Sequence, residues 1–310
     1  MCTAIRLKNN HYYVGRTLDL EYNYDEKVII VPRKFPIKYK YLKQNDNHFS
    51  IFGIGIIIDN YPLFYDACNE YGLSICGLNM PLSTNYSSFT YNKINITSYE
   101  LIIYLLSECK NLKEVKNKFD DLNITDDNFN ANFLASKLHF LITENNESIV
   151  LEIIDGKINI YNNKIGVLTN EPQFPFHLYN LNNYDHLSKM TKNNYFKGSG
   201  LIGLPGDNLS TSRFIKAAFS KNNFIISKNI SEIFNIFNNI FEINGLNITL
   251  DNKVYKTIYI SLYDLSNKIL YFKTYNNCQI YQVILKKFNI DDYNLSSKQI
   301  YNDETIINLF

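Results

Sequence analysis

The stretch LHFLITENNESIVLEIIDGKINIYNN, residues 138–163, constrains the fold more than any other part of this chain. It reads as three strands rich in β-branched and aromatic residues, the last two joined at Asp155-Gly156. That dipeptide tolerates the positive φ values of a tight hairpin turn. A connection so short admits only antiparallel neighbours, because parallel strands need a long crossover. Segments of the same character recur: HYYVGRTLDL, KVIIVPRKF, FSIFGIGIIID and GLSICGLNM in the first third, and KTIYISLYDLSNKILYFKTYNNCQIYQVIL near the end.

Helical patterns fall between these blocks. Thr97 or Ser98 can cap a run in which Leu101, Ile102 and Leu105 recur at helical spacing, and NLKEVKNKFDDL continues as a second helix. Later, RFIKAAF after Ser212 reads as a helix, as does SEIFNIFNNIF with Ile233, Ile236, Phe237 and Ile240 on one face. The order is strands, helices, strands, helices, strands. This predicts an α+β fold of antiparallel sheets with helix layers, and argues against a doubly wound parallel sheet. No Pro-, Gly- or Ser-rich linker divides the chain, so residues 1–310 are expected to form a single domain.

Hydrophobic residues make up 45% and charged residues 20% of the chain, and the formal net charge is +1. Such a balance leaves no broad basic footprint for nucleic acid or an anionic membrane. No segment approaches the roughly 20 apolar residues of a membrane span. The start lacks a basic region followed by an apolar run, which argues against secretion. The five cysteines are irregularly spaced and form no C-x-x-C pair, so reduced thiols and a cytoplasmic location are expected. Cys109 falls in a helical stretch, Cys68 and Cys76 in apolar surroundings, and all three are expected to pack in the interior.

The histidines His11, His48, His139, His177 and His186 show no metal-ligand spacing, so neither a metal nor a His-paired nucleophile is expected. GSGLIG, residues 198–203, matches G-x-G-x-x-G, but TKNNYFK precedes it and Pro205-Gly206 follow, where nucleotide binding requires an apolar strand and a helix. A glycine-rich loop leading to a helix at STSRF fits better.

The N-terminus carries the chemistry. Loss of Met1 would expose Cys2 with a thiol and a free α-amine on one residue. An α-amine titrates near neutrality, so one residue supplies nucleophile and base together. CTAIRL and YYVGRTLD can pair as antiparallel strands, which returns Arg16 and Asp19 to the neighbourhood of Cys2. A cation beside a thiol favours the thiolate, and a carboxylate can orient an amine. The plain alternative is a frayed end beside a surface ion pair of little consequence.

MCTAI, GRTLDLEY, IIVPRKF, GLNMP, GVLTNEPQFPFHLYNLNNY, GLIGLPGDNLSTSRFIKAAF and YNNCQI, taken together and in this order, resemble the choloylglycine hydrolase family, which includes bile salt hydrolases and penicillin V acylases. The resemblance spans nearly the whole chain. It implies an N-terminal nucleophile hydrolase with a four-layer αββα sandwich, a homotetramer, and no metal or organic cofactor. By position, Cys2 matches the nucleophile, Arg16 the arginine beside it, and Asp19 the carboxylate that contacts its amine. Asn79 matches the position whose backbone amide helps form the oxyanion hole, Asn170 the side-chain amide that completes it, and Arg213 the second active-site arginine.

The implied activity is hydrolysis of the amide of conjugated bile salts, releasing glycine or taurine. Asn79 is the residue type of the bile-salt-cleaving branch, whereas many penicillin V acylases carry Tyr there. A penicillin V or other N-acyl amide acylase is the alternative, and a non-catalytic binding relative a further one. Leu18, Tyr24, Phe129 and Phe133 lie in segments that line the substrate slot of relatives. Leu18 stands where relatives often have Met, and TDDNFNANF looks little like their loop.

Overall fold

The computed structural model describes residues 1–190, 200–249, 251–301 and 303–310. Two sheets dominate. The first contains β1 (Cys2–Lys8), β2 (Tyr12–Leu20), β12 (Val167–Leu168), β13 (Asn247–Ile248), β14 (Val254–Asp264), β15 (Ile269–Thr274) and β16 (Tyr281–Ile284). Its strand order is β12-β1-β2-β14-β15-β16, with β13 attached to β14. The second contains β3 (Lys27–Val31), β4 (Ile51–Ile58), β5 (Tyr61–Asn69), β6 (Leu73–Asn79), β9 (Leu138–Glu144), β10 (Glu147–Ile154), β11 (Lys157–Asn162) and β17 (Ser296–Gln299), in the order β11-β10-β9-β6-β5-β4-β3-β17. Every pairing within both sheets is antiparallel.

The hairpins follow from local chemistry. Asp155 and Gly156 both have positive φ, 49° and 71°, as the β10–β11 turn demands. Asp59 and Asn60 do the same at the β4–β5 turn, with φ of 51° and 60°. Strand β5 is missing from the strands read in the sequence. Its Pro62 disguises it, and that residue is tolerated because it pairs with Ile57 at the end of the strand. Conversely, β3 stops at Val31, where Pro32 withholds a backbone donor.

Helix α1 (Leu101–Glu108) packs on β5 and β6, and α2 (Leu112–Lys118) follows it. A 3-10 turn at Ser98–Glu100 leads into α1, and the Glu100 carboxylate accepts from the Thr97 N–H at 2.8 Å in a capping box. Cys109 sits just beyond α1 in an extended conformation. These two helices cross between β7 (Ile94–Thr97) and β8 (Leu122–Thr125), a small parallel pair outside the two sheets that the antiparallel expectation did not include. On the other side lie α3 (Phe174–Leu181), α4 (Ser210–Asn223) and α5 (Ile230–Phe234), with α4 against β1 and β12. The layers are therefore helix, sheet, sheet, helix: the αββα sandwich.

The helix expected over SEIFNIFNNIF divides into α5 and a 3-10 segment, Asn235–Ile240. Three asparagines, Asn235, Asn238 and Asn239, fall in the tightened segment, and asparagine is a poor helix former. The four apolar residues assigned to its face are nevertheless all buried. One core fills the space between the sheets and reaches under α4, and a second fills the space under α1 and α2. Cys68, Cys76 and Cys109 are buried as expected, and burial pushes the Cys109 thiol up to about 12. Of the glycine-rich stretch, Gly198 and Ser199 lie outside the described residues, as does TKNNYFK; the segment from Gly200 runs without helix or strand to α4 at Ser210.

Candidate active site

Strand parity builds the site. Cys2 pairs with Leu18, and Arg16 with Ala4, so Cys2, Arg16 and Leu18 project from one face of the β1–β2 hairpin into the space between the sheets. Thr3, Thr17 and Asp19 project from the other face, toward α4. On the inner face, Arg16 Nη2 donates to Cys2 Sγ at 2.7 Å. Arg16 Nη1 donates to Gly77 O at 2.7 Å and Tyr65 O at 3.1 Å, and Nε to Thr17 O at 3.2 Å.

These contacts occupy a fork. Strands β5 and β6 pair only as far as Asp66 and Cys76, whereas β6 continues beside β9 to Asn79. Carbonyls exposed where β5 departs need donors, and the Arg16 guanidinium supplies two. Burial alone would depress the charge of Arg16. The neighbouring Cys2, Tyr259, Asp66 and Cys76 outweigh it and raise the guanidinium above its ordinary value.

On the outer face, Arg213 of α4 reaches back to β1. Its Nη1 donates to Cys2 O at 2.6 Å and to Thr3 Oγ1 at 2.7 Å. Its Nη2 donates to Asn170 Oδ1 at 2.9 Å, the oxygen that also accepts from the Cys2 N–H at 2.7 Å. Strand β12 ends at Leu168, and the Asn170 side chain replaces it as the partner of Cys2. Asn170 Nδ2 donates to Asn79 O at 2.8 Å, which ties the two sheets together beside the sulfur.

With Met1 in place, Asp19 contacts the terminus through its backbone: its carbonyl accepts from the Met1 amine at 2.7 Å. The Asp19 carboxylate accepts from Thr17 Oγ1 at 2.9 Å and Thr257 Oγ1 at 2.7 Å. A bulge delivers Thr257. Pairing of β14 with β2 shifts between Thr257 and Tyr259, which turns Thr257 to the outer face while Tyr259 stays on the inner one.

A cleft of about 370 Å³ opens beside the sulfur, lined by Cys2, Arg16 and Asn79 together with all four expected slot residues, Leu18, Tyr24, Phe129 and Phe133. Phe129 packs edge-on against Tyr99, and its N–H donates to Phe133 O at 3.0 Å, which closes the loop over one side. Glu21, Ser98, Asn132 and Tyr255 add polar groups to mostly apolar walls. Asp19 and Arg213 stand behind Cys2 and do not line the cleft, whereas Asn170 is buried at its edge with Nδ2 on Asn79, a residue of the cleft wall. A larger cavity of about 550 Å³ lies between β16 and β17, lined by neither Cys2 nor its partners.

Four supporting residues carried no local signal in the sequence. Glu242, buried and 3.6 Å from Arg213 Nε, is raised above the usual carboxylate range by burial and by Asp19. Thr257 depends on the bulge. Glu171 accepts from the N–H groups of Leu82 and Ser83, both at 2.9 Å, and steadies the turn carrying Asn170. His177 stacks on Phe214, and its Nε2 lies 2.9 Å from Asn170 O.

His177 makes acid stability measurable. Burial pushes its imidazole down from 6.5 to about 4. Between those values the unfolded chain binds the proton and the folded one does not, so stability falls as pH drops from 6.5 toward 4. Over the whole window the loss is about 3 kcal/mol. Urea unfolding at pH 7 and pH 4.5 should show this loss in the wild type and a smaller one in His177→Gln. Equal losses in the two proteins would refute the assignment.

Among the described residues, no group of three or more His, Cys, Asp or Glu side chains is arranged to hold a metal ion, and no helix is long and apolar enough to cross a membrane. Residues 2–300 match the family model described as linear amide C–N hydrolases, choloylglycine hydrolase family. The chain is 40% identical to a bile salt hydrolase/transferase of Lactiplantibacillus plantarum, over 96% of each protein. It superposes on the C2A mutant of the conjugated bile acid hydrolase from Clostridium perfringens with a TM-score of 0.93 at 32% identity, covering 100% of each chain. A penicillin V acylase from Agrobacterium tumefaciens shares the fold, with a TM-score of 0.78 at 18% identity over 96% of this chain and 90% of that one.

Proposed function

The chain belongs to the choloylglycine hydrolase family of linear amide C–N hydrolases, and on that premise we propose that it cleaves conjugated bile salts with Cys2 as nucleophile. The observation that carries this reading is the Cys2 sulfur held 2.7 Å from a fully buried guanidinium at the wall of a largely apolar cleft. An apolar slot with a few polar groups suits a steroid body.

In the proposed sequence, removal of Met1 turns the Cys2 nitrogen into a free α-amine. The thiolate attacks the amide carbonyl carbon, and Asn79 N–H with Asn170 Nδ2 stabilises the oxyanion. Such a donor is typically worth about 3 kcal/mol. The α-ammonium gives its proton to the departing nitrogen, and glycine or taurine leaves. Water, deprotonated by the same amine, attacks the thioester, and the sulfur departs as thiolate toward Arg16. Asp19 and Arg213 hold the terminal residue from behind. Leu18, Tyr24, Phe129 and Phe133 receive the steroid. The reaction draws on no metal or organic cofactor.

Parallel assays on taurocholate, glycocholate and penicillin V test the substrate class. Release of taurine or glycine is expected to exceed cleavage of the penicillin, and a strong preference for penicillin V would overturn the assignment in favour of an acylase of that kind. A cytoplasmic homotetramer completes the reading, with sedimentation velocity as the measure of assembly.

A further inference from the structure

Arg16 has a second charged neighbour besides Cys2. Asp66, on β5 of the opposite sheet, places Oδ1 3.9 Å from Arg16 Nε, and both side chains are fully buried. The carboxylate sits at the last residue pair before β5 and β6 part. Three hydroxyls from alternate positions of β14 converge on it. Tyr259 Oη bonds to Oδ1, while Ser261 Oγ and Tyr263 Oη donate to Oδ2 at 2.7 Å and 2.8 Å. Tyr263 Oη also donates to the Asp66 carbonyl at 3.0 Å. These donors lie on the same face of the first sheet as Arg16, whose backbone pairs with Ser261.

We propose that Asp66 is a positioning residue for the Cys2 sulfur, acting through Arg16; the proposal rests on the reading of Cys2 as nucleophile. A buried guanidinium without a counter-charge is costly, and among the described residues Asp66 is the carboxylate that forms an ion pair with Arg16. The sulfur is a charged partner only for part of the cycle. As a thiol, or once acylated as a thioester, it carries no negative charge, and the cation would be free to relax toward the carbonyls at the fork. Asp66 forms and breaks no bond in the cycle; burial raises its carboxyl above the ordinary value, while Arg16 and three hydroxyl donors favour the carboxylate. Its orientation is locked by three hydroxyls of β14, none of which lines the cleft. The guanidinium is therefore already in place when the thioester breaks and the departing sulfur regains its charge. Asp66 touches neither substrate nor the reacting atoms.

The competing account is that Asp66 only staples the two sheets together, which would make its loss a matter of stability alone. Three variants separate the two: Asp66→Asn, Tyr263→Phe, which strips one donor from the carboxylate, and Leu151→Ala, which opens a cavity in the second core away from the site. Each is assayed on taurocholate for kcat and KM, per molecule lacking Met1 by intact mass, alongside its melting temperature. Asp66→Asn is expected to lower kcat roughly 10–100-fold, the scale found for outer-shell partners that orient metal ligands, with KM changed by less than about threefold. Tyr263→Phe should lower kcat several-fold, and Leu151→Ala should melt earlier with kcat intact.

An Asp66→Asn kcat within twofold of wild type would overturn the proposal, as would an equal kcat loss in Leu151→Ala at matched melting temperature. If Asp66→Asn does not fold, Tyr263→Phe decides by the same criterion. A wild-type protein without activity on any conjugated bile salt brings down the functional reading and this proposal together. An active wild type with an unaffected Asp66→Asn brings down the proposal alone.

Discussion

Replacing Cys2 by Ala is expected to abolish release of taurine from taurocholate, by roughly four orders of magnitude or more in kcat/KM, since removal of a nucleophile eliminates the covalent route. The fold should survive. Cys2 is a small buried side chain at the end of β1, and its backbone bonds to Arg213 and Asn170 do not involve the sulfur. Arg16 keeps its three carbonyl acceptors when the sulfur is gone. Melting temperature is therefore expected to move by only a few degrees, on the order of 1 kcal/mol. Hydrolysis that persists in Cys2→Ala at a rate near wild type would remove the sulfur from the mechanism. Intact mass adds an independent check, because molecules that retain Met1 have no free amine on Cys2 and should be inactive.

The second large effect belongs to Asn170. Its side chain accepts from the Cys2 N–H and from Arg213, and donates toward Asn79. Asn170→Ala removes all three contacts, and kcat is expected to fall by about 10²–10³-fold if Nδ2 serves the oxyanion. Asn170→Asp separates the service of Nδ2 from the holding of Cys2 N–H and Arg213 by Oδ1. It keeps an oxygen for Cys2 N–H and Arg213, but puts a negatively charged oxygen where the amide donor stood. A role confined to the Oδ1 contacts with Cys2 N–H and Arg213 predicts near-normal kcat in Asn170→Asp; a role for Nδ2 predicts a loss at least as large as in Asn170→Ala. Wild-type kcat in the Asp variant would sink the oxyanion assignment.

These two residues differ in how far they can be read from the chain. Cys2, Arg16 and Leu18 belong to one hairpin, and strand parity alone puts them on one face once the hairpin is recognised. The apolar face of residues 233–240 was legible for a related reason: its spacing survives even where the helix tightens to 3-10 geometry. Asn170 and Arg213 came from resemblance to a family, because nothing in their own surroundings announces that they meet at Cys2. Tyr24, Phe129 and Phe133 came the same way and line the cleft.

Thr257, Glu242 and Asp66 were not legible at all. Thr257 has the parity of Tyr259 and would face inward in a regular strand; the register shift between them sends it to Asp19 instead. Asp66 sits in a strand that the sequence concealed behind Pro62, and its partners lie on the opposite sheet.

Alternation of side chains along each strand, and turn residues that permit positive φ, determined the antiparallel sheets and the pairing of Cys2 with its arginine, because those rules act over neighbouring residues. Where the sheets stack, where β5 leaves β6, and which buried carboxylates back the two arginines were decided only by the tertiary structure. The hydroxyls that hold Asp66 come from up to 197 positions away and the Thr257 hydroxyl on Asp19 from 238, and no local preference specifies these contacts. They arise because a buried charge or an orphaned carbonyl must find a partner wherever packing has brought one.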